Sequence, residues 1–137
     1  MRFPGRIRKD GRFWLVEIPA FDAQTQGHSK REALEMAGDL IETMAATRGF
    51  RVTVYPTGGR TFEIGANRVD TLLALLLRRQ RERQGLTLAQ AAERLGQRSR
   101  NAYARYEQGR AMPSVAKLEE LLKAIAPNQR IVWHVAA

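Results

Sequence analysis

Apolar and polar residues alternate with a period near two over much of the first 66 residues, interrupted by one helical stripe, and recur with a period near 3.6 from about residue 67 on. Gly5 to Lys9 and Phe13 to Ile18 flank Asp10-Gly11, a dipeptide that supplies the positive φ angles of a two-residue turn, so the first two strands form a hairpin. Ala23 to Gln26 predicts a third strand, broken at Gly27. Ser29-Lys30-Arg31-Glu32 reads as a capping box that opens a helix near Lys30. Its inward stripe is Ala33, Leu34, Ala37, Leu40, Ile41, Met44 and Ala45, and Gly49 is its expected C-terminal stop. Phe50, Val52 and Val54 alternate with Arg51, Thr53 and Tyr55. A turn through Pro56-Thr57-Gly58-Gly59 then leads to a last strand from Thr61 to Ile64. The order is βββαβ.

The rest of the chain predicts four helices. Asn67 to Asp70 can cap the first, which runs to Gln84 and stops at Gly85. Thr87-Leu88-Ala89-Gln90 is a second capping box, opening a short helix that ends at Gly96. Ser99 caps a helix from Arg100 to Gln108. Pro113-Ser114 starts the last, with Val115, Leu118, Leu121, Leu122 and Ile125 inward. Leu72, Leu73 and Leu76 suffice for a helix core, so Leu75 and Leu77 are left to face the first domain or a second copy. Ile131 to Val135 is β-prone and suited to a sheet edge or a partner chain.

Charge sharpens this division. The 137 residues carry a net +9, but residues 1–67 hold ten Lys/Arg against eight Asp/Glu, whereas residues 68–137 hold thirteen against six. The second half carries the field that would attract a polyanion. Cysteine is absent, which excludes disulfides and thiolate zinc sites. The opening MRFPGRIRKDG shows no apolar export signal, and the run Leu72 to Leu77 is far shorter than the roughly 20 residues a bilayer requires. The expectation is a cytoplasmic protein with no membrane partner.

The candidate chemistry concentrates in GQRSRNAYARYEQGR, residues 96–110. Arg98, Arg100 and Arg105 offer forked donors for guanine or phosphate, and Asn101 can pair bidentately with adenine. Gln90, Ser99, Arg79 and Arg83 complete the candidate DNA-binding set, with Arg79 and Arg83 as phosphate contacts. Residues 78–110 hold nine arginines against three acids. In the first half, Glu32, Glu35, Asp39 and Glu42 share one helix face, which a solvated helix also shows and which a basic partner would use. His28 and His134 read as surface residues. No set of carboxylates or histidines suggests a catalytic or metal site, so no enzyme activity and no cofactor are expected.

Gly85-Leu86-Thr87, Ala92-Glu93-Arg94-Leu95-Gly96, Arg105-Tyr106-Glu107-x-Gly109 and Pro113-Ser114 resemble the phage-repressor (Xre-type) helix-turn-helix. That resemblance places the helix of Arg100 to Tyr106 in the major groove and braces the helix from Leu88 on the backbone. It also implies that Glu107 pairs with Arg78 or Arg79. The chain departs from the pattern in one extra residue between Gly96 and Glu107, and in Tyr103 at a position that is usually aliphatic. Gly11-x-x-Trp14, Thr25-Gln26-Gly27, Arg31-Glu32-Ala33-Leu34 and the stretch Asn101 to Arg110 resemble HicB-type antitoxins. This second resemblance implies a partial ribonuclease-H-like domain that silences a HicA-type ribonuclease toxin, followed by a domain that represses its own operon.

The sequence therefore predicts an α+β chain with a small βββαβ domain at 1–66 and an all-α DNA-binding domain at 67–137. Its expected partners are a HicA-type toxin, operator DNA and further copies of itself, as a homodimer or higher oligomer. Competing readings are a free-standing transcription regulator without a toxin and a degenerate ribonuclease-H-like nuclease.

Overall fold

A computed structural model of the chain describes residues 1–136. It separates into two compact units, 1–76 and 77–137, so the division falls inside a helix. The architecture is α+β.

In the first unit, β1 (Phe3–Asp10), β2 (Phe13–Ile18) and β3 (Ala23–Gly27) precede α1 (Lys30–Ala45), and β4 (Val52–Gly58) and β5 (Thr61–Ala66) follow it. One turn of 3₁₀ helix, Pro19–Phe21, joins β2 to β3. All pairings are antiparallel, in the order β3-β2-β1-β5-β4. Directly opposed residues share a face. Ile7 with Val16, Ile18 with Ala23 and Gly5 with Phe62 form the buried face. It is matched by the buried Ala33, Ala37, Gly38 and Ile41 of α1. The ring of Phe62 lies directly over Gly5, where an added Cβ would fall 2.1 Å from it. The opposite face carries the pairs Arg6–Glu17 and Arg2–Glu63, each at 3.3 Å, and Arg2 stacks on Tyr55.

Two local expectations change. α1 ends at Ala46, which takes the left-handed conformation (φ 48°), and Gly49 serves the following turn instead. Asn67 does not cap the next helix, because its side chain accepts from Arg51 N–H and donates to Gly49 C=O. That clamp fixes the entry to β4. Ser29 accepts from Glu32 N–H as expected, so the cap of α1 stands.

Helix α2 (Val69–Arg83) is followed in the second unit by α3 (Leu88–Arg94), α4 (Arg100–Glu107) and α5 (Val115–Ile125). Leu77, Ala91, Ala92, Tyr103, Leu118, Leu121 and Ile125 are buried. All of Leu72 to Leu77 is buried in the chain itself, Leu75 at 3% exposure and Leu77 at 0%. Neither leucine is therefore a surface for a second copy. The β-prone Ile131 to Val135 forms no strand within the chain, and Val132, Trp133 and Val135 are exposed.

Candidate nucleic-acid interface

The interface is built on the pair α3 and α4. Thr87 and Gln90 close a reciprocal capping box on α3: Gln90 N–H donates to Thr87 Oγ1 (3.1 Å), and Thr87 N–H donates to Gln90 Oε1 (2.9 Å). After α3 the chain reverses at Gly96 (φ 68°), where Gln97 N–H donates to Ala92 C=O. The left-handed backbone at that point suits glycine. Ser99 then caps α4 by accepting from Asn101 N–H at 3.2 Å. Two short helices joined by a glycine turn result.

A buried polar triangle fixes α4. Arg81 of α2 donates from Nε to Glu107 Oε1 (2.6 Å) and from Nη2 to Glu107 Oε2 (3.0 Å). Its Nη1 donates to Leu86 C=O (2.7 Å), and Tyr103 OH donates to Glu107 Oε1 (2.7 Å). The two charged side chains are 12% and 6% exposed, and Tyr103 is fully buried. The hydrogen bond that Arg81 donates to Glu107 raises the pKa of its guanidinium. Burial, followed by the negative charge of Glu107, pushes the Tyr103 phenol well above its ordinary value. The glutamate's partner is thus Arg81, not Arg78 or Arg79. The inward stripe of α2 steps by four from Leu73 to Leu77 to Arg81, and that spacing was the available signal. The hydroxyl that distinguishes tyrosine from an aliphatic residue at position 103 joins this triangle.

With Tyr103 and Ala104 inward, Arg100, Asn101 and Arg105 are exposed, as are Arg98 and Ser99 in the turn before them. Among the described residues, no hydrogen bond or ion pair occupies the side chains of Arg98, Arg100, Asn101 or Arg105. Ser99 Oγ and Gln90 Oε1 are committed to caps, which leaves the Gln90 amide N–H groups for a ligand. Arg83 is exposed, whereas Arg79 is paired with Glu82 at 3.1 Å. The expected cluster is therefore split. Four side chains project without partners from the turn and α4, two are used to hold the helices, and Arg79 is held by an acid.

In the first unit, a groove of about 790 Å³ runs between α1 and the edge strand β4. Leu34, Gly38, Val52, Val54 and Pro56 line it with Glu35, Asp39 and Glu42, and Lys30 and Arg31 lie at one end. Of the four acids expected on α1, Glu32 lies outside the groove. Glu35 pairs with Arg31 at 3.2 Å, and Glu42 Oε1 accepts from Val52 N–H at 2.8 Å. His28 and His134 are exposed. Among the described residues, no three His, Asp or Glu side chains come together as a metal set, and no helix is long and apolar enough to cross a membrane.

Capped α3, a glycine turn and a basic α4 with outward arginines define a DNA-binding helix-turn-helix module. The sequence supports the same assignment: residues 72–126 match the family model of the helix-turn-helix domain, from inside α2 to the end of α5. No curated protein matches the chain in sequence.

Proposed function

We propose that the chain is an antitoxin that represses its own operon. α4 enters the major groove of operator DNA, with Asn101 and Arg105, one helical turn apart, reading bases, and with Arg98 and Arg100 on bases or phosphates. Ser99 and Gln90 brace the backbone through the dipoles of the helix starts they cap, and Arg83 adds a phosphate contact. The observation that carries this reading is the row of unpartnered arginine and asparagine side chains on a helix anchored by the Arg81–Glu107–Tyr103 triangle. A gel shift with the chain's own upstream DNA tests it. Asn101→Ala should lose discrimination between that DNA and a scrambled duplex, and undiminished discrimination in Asn101→Ala and Arg105→Ala alike would refute it.

The first unit, residues 1–66 with the start of α2, holds a small basic ribonuclease of the HicA type in this reading. Support comes from the groove between α1 and β4, where an apolar floor is bordered by Glu35, Asp39 and Glu42. A ribonuclease that binds RNA is basic, so it is tolerated by this nearly neutral unit and repelled by the arginine-rich second unit. Steric covering of its active site suffices, and the chain performs no reaction. Both partners act in the cytoplasm. Co-expression with the product of the neighbouring reading frame tests the proposal: the chain should rescue growth, and Glu35→Lys with Asp39→Lys should reduce rescue. A neighbouring product with no toxicity would refute the antitoxin role and leave the DNA-binding reading standing.

A further inference from the structure

Beyond α5 the backbone makes one last turn, with Gln129 N–H donating to Ala126 C=O. Among the described residues, no hydrogen bond joins 130–136 to the rest of the chain. Yet this stretch contains Ile131-Val132-Trp133-His134-Val135, a sequence that favours extended backbone. Val132, Trp133 and Val135 are 75%, 55% and 94% exposed. Strand-forming residues with open backbone groups and exposed apolar side chains form half of an interface.

The sheet of the first unit is a poor acceptor for this strand. At the β4 edge, Arg51 exchanges hydrogen bonds with Asn67, so in an antiparallel ladder Val52, Val54 and Pro56 point their backbone groups outwards. Val52 N–H already donates to Glu42, and proline has no N–H, so only Val54 offers an open donor there. The β3 edge is five residues long and ends at Gly27, against which the backbone of Ala33 in α1 is packed. The β4 edge is blunted by its occupied and missing donors, and the β3 edge is short, both of which discourage strand addition.

The tail is complementary to itself. Antiparallel pairing about Trp133 sets each Trp133 against its equivalent, Ile131 against Val135 and Val132 against His134. This register gathers Ile131, Trp133 and Val135 of both copies on one face. A shift of one residue would set Ile131 against His134 and mix the faces.

We infer that residues 131–135 form a two-stranded antiparallel ribbon with the same segment of a second copy of this chain, with the twofold axis at Trp133. The interface is isologous and closes as a dimer, which presents two copies of α4 to two half-sites. It is independent of whether the first unit holds a toxin.

The chain has no cysteine, so one introduced thiol reports on one position. Residues opposed across an antiparallel pair have Cα atoms about 4.5–5.5 Å apart, within disulfide reach. In the full-length protein, Trp133→Cys should cross-link to itself under mild oxidation. Ile131→Cys should not, since its own copy lies about 13 Å away along the ribbon, at about 3.3 Å per residue. An equimolar mixture of Ile131→Cys and Val135→Cys should form the mixed disulfide. Light scattering should give twice 15.5 kDa for the unmodified chain and a mass close to 15.5 kDa for Trp133→Lys, with unchanged circular dichroism. A monomeric unmodified chain would overturn the proposal. So would equal cross-linking at positions 131 and 133, which indicates random collision. A dimer that fails to cross-link in Trp133→Cys would assign the tail to another surface and also overturn it.

Discussion

Replacing Glu107 by alanine removes the one acid that the interior of the second unit uses to neutralise Arg81. The carboxylate receives three hydrogen bonds, at 2.6 and 3.0 Å from the guanidinium and 2.7 Å from Tyr103, and its side chain is 6% exposed. In Glu107→Ala the cation stays in a site that is 12% exposed, with Leu86 C=O as its remaining partner, and the phenol loses its acceptor. Breaking a buried pair in this way costs about 3–5 kcal/mol. In a unit of this size each kcal/mol lowers the melting temperature by about 4–8 °C, so a fall of at least about 12 °C is expected. Tyr103→Phe removes a single hydrogen bond to a charged group and should cost about 1.5–3 kcal/mol. Arg81→Met combined with Glu107→Leu removes both charges together and should recover most of the loss. Urea titrations followed by circular dichroism, assembled into a double-mutant cycle, give the coupling directly. A Glu107→Ala chain within about 1 kcal/mol of the parent, or a double variant no more stable than the two losses summed, would refute the argument that the triangle holds α4.

Gly5→Ala should destabilise the first unit by about 1–3 kcal/mol in urea denaturation, because the new methyl meets the buried Phe62 ring, and Phe62→Leu should relieve part of that cost. DNA affinity of the folded Gly5→Ala chain should be unchanged. The Tyr103 phenol is held protonated by burial and by Glu107, so above the ordinary tyrosine value of about 10 the unfolded chain releases a proton that the folded chain keeps. Stability should therefore fall as pH rises beyond that value, and urea midpoints compared at about pH 9 and about pH 11 should show a smaller drop in Tyr103→Phe. Arg83→Ala should weaken binding to cognate and scrambled duplexes alike and reduce the slope of log affinity against log salt by about one.

The fold was legible where the local signals were strong. Asp10-Gly11 fixed the hairpin, Ser29 and Thr87 fixed two helix starts, and Gly96 marked the turn before α4. Alternation identified β4 but could not show that it is an edge strand, because its neighbours come from residues far along the chain; half-buried Val52 and Val54 follow from that position. Gly49 looked like a helix stop, yet Ala46 takes the left-handed cap conformation and Gly49 (φ 78°) serves the following turn. The leucine run was legible only in part. Counting faces left Leu75 and Leu77 with two possible neighbours, and only their burial within the chain shows that they need no second copy. At the interface, outward arginines could be named from the 3.6-residue period. The cap roles of Ser99 and Gln90 were legible as well, whereas the pairing of Arg79 with Glu82 needed side-chain geometry.

The central claim is that α4 reads a DNA sequence, and the most direct measurement is a competition titration at fixed salt. The full-length chain, Asn101→Ala and Arg105→Ala are each bound to the upstream DNA of the chain's own gene and to a scrambled duplex of equal length. The account predicts that the parent prefers its own DNA, and that each variant loses about 1–3 kcal/mol on that DNA while losing less on the scrambled one. Equal affinity of the parent for both duplexes, or equal losses of the variants on both, would contradict it.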